Sequence, residues 1–336
     1  MSASLIALPD AAGLARASAL LREGSLVGLP TETVYGLAAN ALDPAAVAKI
    51  FEAKGRPFFD PLIVHLPGLA EAEALVTGEW PAQARKLAEL FWPGPLTLIL
   101  PKHPSIPDLV TSGLPYVALR APSHPVAQAV LKAAGLPLAA PSANRFGRIS
   151  PTTAEAVAEE LGGAAALALI LDGGPCPIGL ESTILAFPEG ESRPLLLRAG
   201  GLSVEEIEHA VGPLAHNTRL GKEAPPAGAA APGQLPSHYA PRTPLRRIGH
   251  PSEVAPGDRN ATALLAFGPL DAGDAASFQA VENLSPSASL PEAAARLFTL
   301  LRTLDHAAAR EIVALPVPET GLGLAINDRL IRAAHQ

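Results

Sequence analysis

Apolar residues recur along this chain with two periods. A period near 3.6 marks helices in "AAGLARASALLREG" (residues 11–24) and "DPAAVAKIFEAKG" (43–55). The second segment is fully punctuated, with Asp43 as N-cap, Pro44 at the first helical position and Gly55 past the end. Further helices are expected over Pro81–Phe91, His124–Ala134, Thr152–Leu161 and Val204–Ala210. Short apolar runs bounded by Gly and Pro read as strands: "SLVGLP", "LIVHL", "LTLIL", "YVALRAP", "LPLAAPSAN", "LALILDGG", "STILAF" and "PLLLRAG". Strands and helices do not alternate regularly, so the N-terminal block, residues 1–211, is expected to be α/β with a mixed, strongly twisted sheet.

The pattern changes after Val211. "KEAPPAGAAAPGQLPSHYAPRTP" is rich in Pro, Ala and Gly without a period, so residues 212–244 read as a linker. Residues 245–336 form a second, smaller unit. Its strands are expected in "PLRRIG", "ATALLAFG" and "EIVALPVP", with helices in "PEAAARLFTLLRTLDHAAAR" and "LAINDRLIRAA". A small open Rossmann-like α/β layer fits this order.

Composition narrows the function classes. Of 336 residues, 48% are hydrophobic and 17% charged, which excludes a disordered chain. A net charge of −7 gives no global basis for stable nucleic-acid binding. The single cysteine, Cys176, excludes an internal disulfide framework and a cysteine metal cluster, and reads as a small residue in a turn. No signal peptide or membrane span is recognisable, so a soluble cytoplasmic protein is expected.

Familiar catalytic signatures are absent. There is no Walker A loop, no G-x-G-x-x-G after a strand, no G-x-S-x-G elbow and no metal-ligand histidine spacing, so no protein-held metal is expected. What remains are polar residues at strand ends and turns. In "PTETVYGL", the hydroxyls of Thr31 and Thr33 read as contacts to a small polar ligand, or Thr31, Glu32 and Thr33 only cap the next turn. Lys54 and Arg56 flank a Gly at a K-G-R-P corner. They read either as a solvated helix end or as a point charge and a planar fork for an anion. His65 in "LIVHL" is either a core histidine bonded to backbone or a ligand group. "APSANRFGRISP" (140–151) is a loop whose hydroxyls, amide and backbone N–H groups suit a phosphate or ribose. Ser182 and Thr183 open one strand, and Arg198 closes another directly after three leucines.

Taken together and in order, "GLPTETVYGLAANA", "FEAKGRP…PLIVH", "WPGPLTLIL", "VALRAP", "PSANRFGRISPT", "DGG…GLESTI" and "LLRAGG" resemble the YrdC-type domain of threonylcarbamoyl-AMP synthases. "PSHYAP" and the small C-terminal unit resemble the long, two-domain form. The resemblance implies that L-threonine, bicarbonate or CO2 and ATP give threonylcarbamoyl-AMP and pyrophosphate. A downstream tRNA threonylcarbamoyl-transferase complex then modifies tRNA. It also implies Mg²⁺ held mainly by the ATP phosphates. Lys54, Arg56, Ser142 and Asn144 take the catalytic positions. Lys54, Arg56, Ser142, Ser150, Arg198 and Tyr239 take the ATP positions, with Tyr239 closing over the site from the linker. Thr31, Thr33, His65, Arg120, Ala140 and Ser182 take the threonine positions.

Two positions depart from the family pattern. Asp60 stands where an asparagine contact to ATP is common, and would repel a phosphate unless a cation lies beside it. Tyr116 stands where a threonine near ATP is common. Two other readings share the fold: a non-catalytic module binding nucleotide or double-stranded RNA, and a domain of hydrogenase maturation proteins. The latter carry cysteine-rich segments that this chain lacks.

Overall fold

The computed structural model describes residues 5–216 and 238–335. The chain divides into two units. The first takes residues 5–146, 151–177 and 181–216; the second takes 238–335 together with Gly147–Ser150 and Ile178–Leu180. Residues 217–237 of the expected linker lie outside the described residues.

The first unit is built on strands β1 (Ile6–Ala7), β2 (Leu26–Leu29), β3 (Gly36–Asn40), β4 (Ile63–His65), β5 (Leu96–Pro101) and β6 (Tyr116–Arg120). The series continues with β7 (Leu138–Ala139), β8 (Leu167–Leu171), β9 (Thr183–Ala186), β10 (Leu195–Arg198) and β11 (Ala215–His216). They form one mixed sheet in the order β1-β8-β2-β3-β7-β4-β6-β5-β9-β10-β11. β4 runs parallel to β6, which is antiparallel to β5, and β5 runs parallel to β9. The mixed sheet expected from the irregular alternation is what forms.

Alternation of side chains along each strand distributes the core between the two faces. On one face Leu37, Val64, Leu98 and Leu119 pack with Val47, Ile50 and Phe51 of the helix Pro44–Lys54 and Leu87 of the helix Ala82–Phe91. On the other, Val27, Leu29, Ala38 and Leu138 pack with Ala17 and Leu21 of the helix Ala11–Arg22 and Val130 of the helix Pro125–Ala134. Farther along this side the apolar layer is thin and consists of Ile63, Ile99, Ala118, Ile184, Ala186 and Leu197.

Local punctuation behaves as its chemistry requires. Asp43 accepts a hydrogen bond from Ala45 N, and Gly55 ends the helix at φ +61°, a conformation that costs glycine little. Strand β3 has no counterpart in the sequence expectations, because "GLAAN" has neither β-branched residues nor a polar–apolar alternation. It is secured by pairing with β2 and β7 on both sides.

The second unit has strands β12 (Leu245–Arg247), β13 (Thr262–Ala266), β14 (Ala280–Asn283) and β15 (Glu311–Ala314). They form a parallel sheet in the order β12-β15-β13-β14. Its long helix, expected to reach Arg310, stops at Asp305; the chain turns through Ala308 at φ +55°. Tyr239 belongs to this unit and is itself left-handed, at φ +65°. Its ring stacks on Phe298 at 5.5 Å and lies beneath the guanidinium of fully buried Arg329 at 5.2 Å.

Candidate active site

The thin apolar layer of the first unit gives way to polar residues at one end. Two residues beyond Ile63 on β4 stands His65, and two beyond Ala118 on β6 stands Arg120. Two before Ile99 on β5 stands Thr97, and two before Ile184 stands Ser182. A spacing of two keeps each on the face of its apolar neighbour. His65 and Arg120 are direct partners in the parallel register. All four side chains are buried.

Arg120 organises the first cluster. Its Nη2 pairs with Glu32 Oε1 at 2.7 Å, its Nη1 donates to Thr33 Oγ1 at 2.9 Å and its Nε donates to Gly94 O at 3.3 Å. Thr31 Oγ1 donates to Val34 O at 2.6 Å and lies 2.8 Å from Thr33 Oγ1. A hydroxyl has one proton, so Thr33 must donate to Thr31 while accepting from Arg120. Thr31 also accepts from the backbone N–H groups of Thr33 and Val34, and so caps its own turn. Thr33 is the hydroxyl that reaches the cation.

Charge and burial fix the protonation states here. Burial raises the Glu32 carboxyl, but the charge and hydrogen bond of Arg120 outweigh it and hold the group below its ordinary value. His65 is pushed down to about 3, by burial first and by Arg120 second, so it is neutral at physiological pH. Its Nδ1 lies 3.2 Å from Ile63 O. The backbone of Leu138 provides a second bond to the ring, so the core-histidine reading is met by backbone on both counts.

The second cluster is the K-G-R-P corner. Lys54 is 3% exposed, which overturns its reading as a solvated helix end. Its Nζ donates to Ser142 O at 2.6 Å and Asn144 O at 2.5 Å, so the helix C-terminus grips the P-S-A-N loop. Phe146 N returns a bond to Lys54 O at 2.8 Å. Burial, then the neighbouring Arg56 charge, push the Lys54 ammonium well below its ordinary value. Arg56 donates from Nε to Asp60 O at 3.0 Å and from Nη2 to Pro61 O at 2.8 Å. Asp60, the departure at a nucleotide position, pairs with Arg56 at 2.9 Å, the two side chains being 3% and 5% exposed. The cation that such an aspartate needs is thus in place.

Arg198, closing β10, forms the third cluster. It donates to Ser182 O from Nε at 3.2 Å and from Nη2 at 2.9 Å, and to Ser182 Oγ at 3.2 Å. Ser182 Oγ is 2.7 Å from Thr97 Oγ1. Gly200 lets the following loop lie on this strand start; a Cβ there would stand 2.2 Å from Glu181 O. The charge of Arg198 acts on Asp60 together with those of Arg56 and Lys54, which joins the second and third clusters.

Of the other expected site residues, Ala140 directly follows β7 and donates its N–H to Ile63 O at 3.0 Å. Ser142 and buried Asn144 lie on the loop that Lys54 holds. Ser150 and Tyr239 belong to the second unit. Cys176 is buried, with its thiol pushed up to about 12, chiefly by burial. Tyr116 opens β6, half-buried against the thin apolar layer. Glu32 is what sequence reasoning missed. Its only signal was a carboxylate between two threonines, and its partner Arg120 lies far along the chain.

A family described as "Telomere recombination" matches residues 19–200, and one described as "Threonylcarbamoyl-AMP synthase, C-terminal domain" matches residues 202–335. The threonylcarbamoyl-AMP synthase of Bacillus subtilis is 44% identical, the match covering 96% of this chain and 92% of that protein. This chain belongs to the threonylcarbamoyl-AMP synthase family. The synthase of Pyrococcus abyssi is 42% identical over 95% of this chain and 93% of its own length. The crystal structure of P. abyssi Sua5 complexed with L-threonine superimposes with a TM-score of 0.86 at 40% identity, covering 96% of this chain and 94% of that one. Family membership makes the chain an enzyme that forms a mixed adenylate. Among the described residues no helix is long and apolar enough to cross a membrane.

Two measurements test the electrostatics of the first cluster. Glu32→Ala strands Arg120 in the interior and should cost about 3–5 kcal/mol of folding stability, read by denaturant unfolding. A cost below 1 kcal/mol would show that the pair is solvated. His65 binds no proton when folded but binds one when unfolded between pH 6.5 and about 3, so its contribution to stability is full above that window and lost as pH falls through it. His65→Gln should flatten the stability–pH slope over pH 4–6 by up to about 1.4 kcal/mol per unit. An unchanged slope would show that His65 titrates alike in both states.

Proposed function

We propose that the three clusters of the first unit make L-threonylcarbamoyl-AMP from L-threonine, bicarbonate or CO2, and ATP, with release of pyrophosphate. The observation that carries this reading is the set of four buried cations, Lys54, Arg56, Arg120 and Arg198, on one unit of a chain with net charge −7. Buried cations retained at strand and helix ends suit anionic ligands, here a triphosphate and an amino-acid carboxylate.

The work divides by cluster. Arg120, held by Glu32 and Thr33, receives the threonine carboxylate, with neutral His65, Thr31, Ala140 and Ser182 lining the rest of the threonine pocket. The threonine amine adds to CO2, losing a proton, to give a carbamate. A carbamate oxygen then attacks the α-phosphorus, and the bond to the bridging oxygen breaks with its electron pair leaving on pyrophosphate. Lys54, Arg56 and Arg198 offset charge on the phosphates during this displacement, while Ser142 and Asn144 position the nucleotide on the loop that Lys54 grips. Anion binding opposes the depression of the Lys54 pKa and favours its charged form when the charge is needed.

Mg²⁺ fits as a companion of the nucleotide. No group of three or more His, Cys, Asp or Glu side chains among the described residues could hold a metal ion. Glu32 and Asp60 are both engaged by arginines. The ATP phosphates would therefore supply most of the ligands, and the ion would neutralise part of their charge. The product is a reactive adenylate, consumed by a tRNA threonylcarbamoyl-transferase complex in the cytoplasm, without stable nucleic-acid binding by this chain.

Pyrophosphate release from Mg-ATP should require both L-threonine and bicarbonate, with L-serine a poorer substitute. Lys54→Ala and Arg56→Ala should each lower turnover by about 100-fold or more while the circular dichroism spectrum is retained. Release without threonine, or wild-type turnover in both variants, would refute the assignment.

A further inference from the structure

Asp60 is an anion buried in the cation cluster that the previous reading gives to the triphosphate. Its Oδ2 stands 2.9 Å from Arg56 Nη2, the same nitrogen that donates to Pro61 O at 2.8 Å. The Arg56 Nε bond to Asp60 O holds the two residues together through the backbone as well. The pair is an i,i+4 contact formed outside any helix, on the turn that follows Gly55. Arg56 is the cation in contact with the carboxylate, and Lys54 and Arg198 also act on it through their charge.

We propose that Asp60 is a built-in counter-anion, which occupies the phosphate-binding cations when no nucleotide is bound and competes with the triphosphate for them. The inference rests on the nucleotide reading of the Lys54–Arg56 corner. Three cations brought together without an anion would repel one another in a low-dielectric interior. Asp60 offsets that repulsion in the empty protein. An arriving polyphosphate must then displace the carboxylate from Arg56 or accept a like charge beside it. Either way part of the available attraction is forfeited, so the affinity for phosphate is lower than the cations alone would give. The return is release: a pyrophosphate product left among three cations is expelled more readily when an internal anion stands ready to replace it.

Burial supports this direction. Desolvation holds the Asp60 carboxyl above its ordinary value even against the pull of Arg56, Lys54 and Arg198, in that order. Removing the cations from Asp60 onto a ligand therefore leaves a carboxylate disposed to take up a proton, and polyphosphate binding should be accompanied by proton uptake.

The test is calorimetric titration of the full chain with inorganic tripolyphosphate, a probe that carries the charge of ATP without its base. Asp60→Asn should bind it about tenfold tighter than wild type, and Asp60→Glu within about twofold of wild type. Asp60→Asn should also lower the melting temperature of the ligand-free protein, and tripolyphosphate should raise it by more than it does for wild type. If the variant is unfolded without ligand, its recovery by tripolyphosphate supports the proposal, and failure to recover overturns it. Equal or weaker binding by Asp60→Asn overturns it too, since Asp60 would then serve to aim Arg56. Lys54→Ala separates this from the reading beneath it. Wild-type tripolyphosphate affinity in that variant would remove the phosphate site itself.

Discussion

Four cations buried in one unit are the constraint that the rest of the first unit serves. A guanidinium or ammonium taken out of water costs several kcal/mol unless oxygens replace its solvent. Here each has them. Arg120 has a carboxylate, a hydroxyl and a carbonyl. Lys54 has two loop carbonyls, Arg56 has a carboxylate and two carbonyls, and Arg198 has both oxygens of Ser182. The loops that supply these oxygens are thereby pinned, and the same loops carry the residues assigned to substrate.

The mixed sheet is what makes this possible. In a sheet of purely parallel strands, equivalent ends would all come from C-termini. Because β5 and β9 run opposite to β6 and β10, strand starts and strand ends meet on one edge. Arg120 and Arg198 close their strands, while Thr97 and Ser182 stand at the openings of theirs. The thin apolar layer formed by Ile63, Ile99, Ala118 and Ile184 gives these polar groups a dry floor, which explains why His65 stays neutral and Glu32 stays ionised only through Arg120.

Much of this was legible beforehand, for identifiable reasons. The helix Pro44–Lys54 was readable because Asp43, Pro44 and Gly55 each act locally. The strands with runs of Leu, Ile and Val were readable because burial on both faces leaves a continuous apolar run. β3 and β14 were missed for the opposite reason: one is made of small residues held by its neighbours, the other is a half-buried edge strand. At the site, residue types at strand ends pointed to the corner where Lys54 and Arg56 are buried. What no local pattern could show was pairing across the chain. Lys54 looked like an ordinary basic helix end, and its carbonyl partners lie on a loop almost a hundred residues later. Glu32 looked like a turn residue until Arg120 was brought against it.

The account's central claim is that these cations are divided between two anionic ligands, Arg120 taking the amino acid and the Lys54–Arg56–Arg198 group the nucleotide. The most direct measurement is the binding of L-threonine and of ATP, each titrated separately into Arg120→Ala. Threonine affinity should fall by about 100-fold or more while ATP affinity stays within a few-fold of wild type. Loss of ATP binding with threonine binding intact, or no change in either, would contradict it.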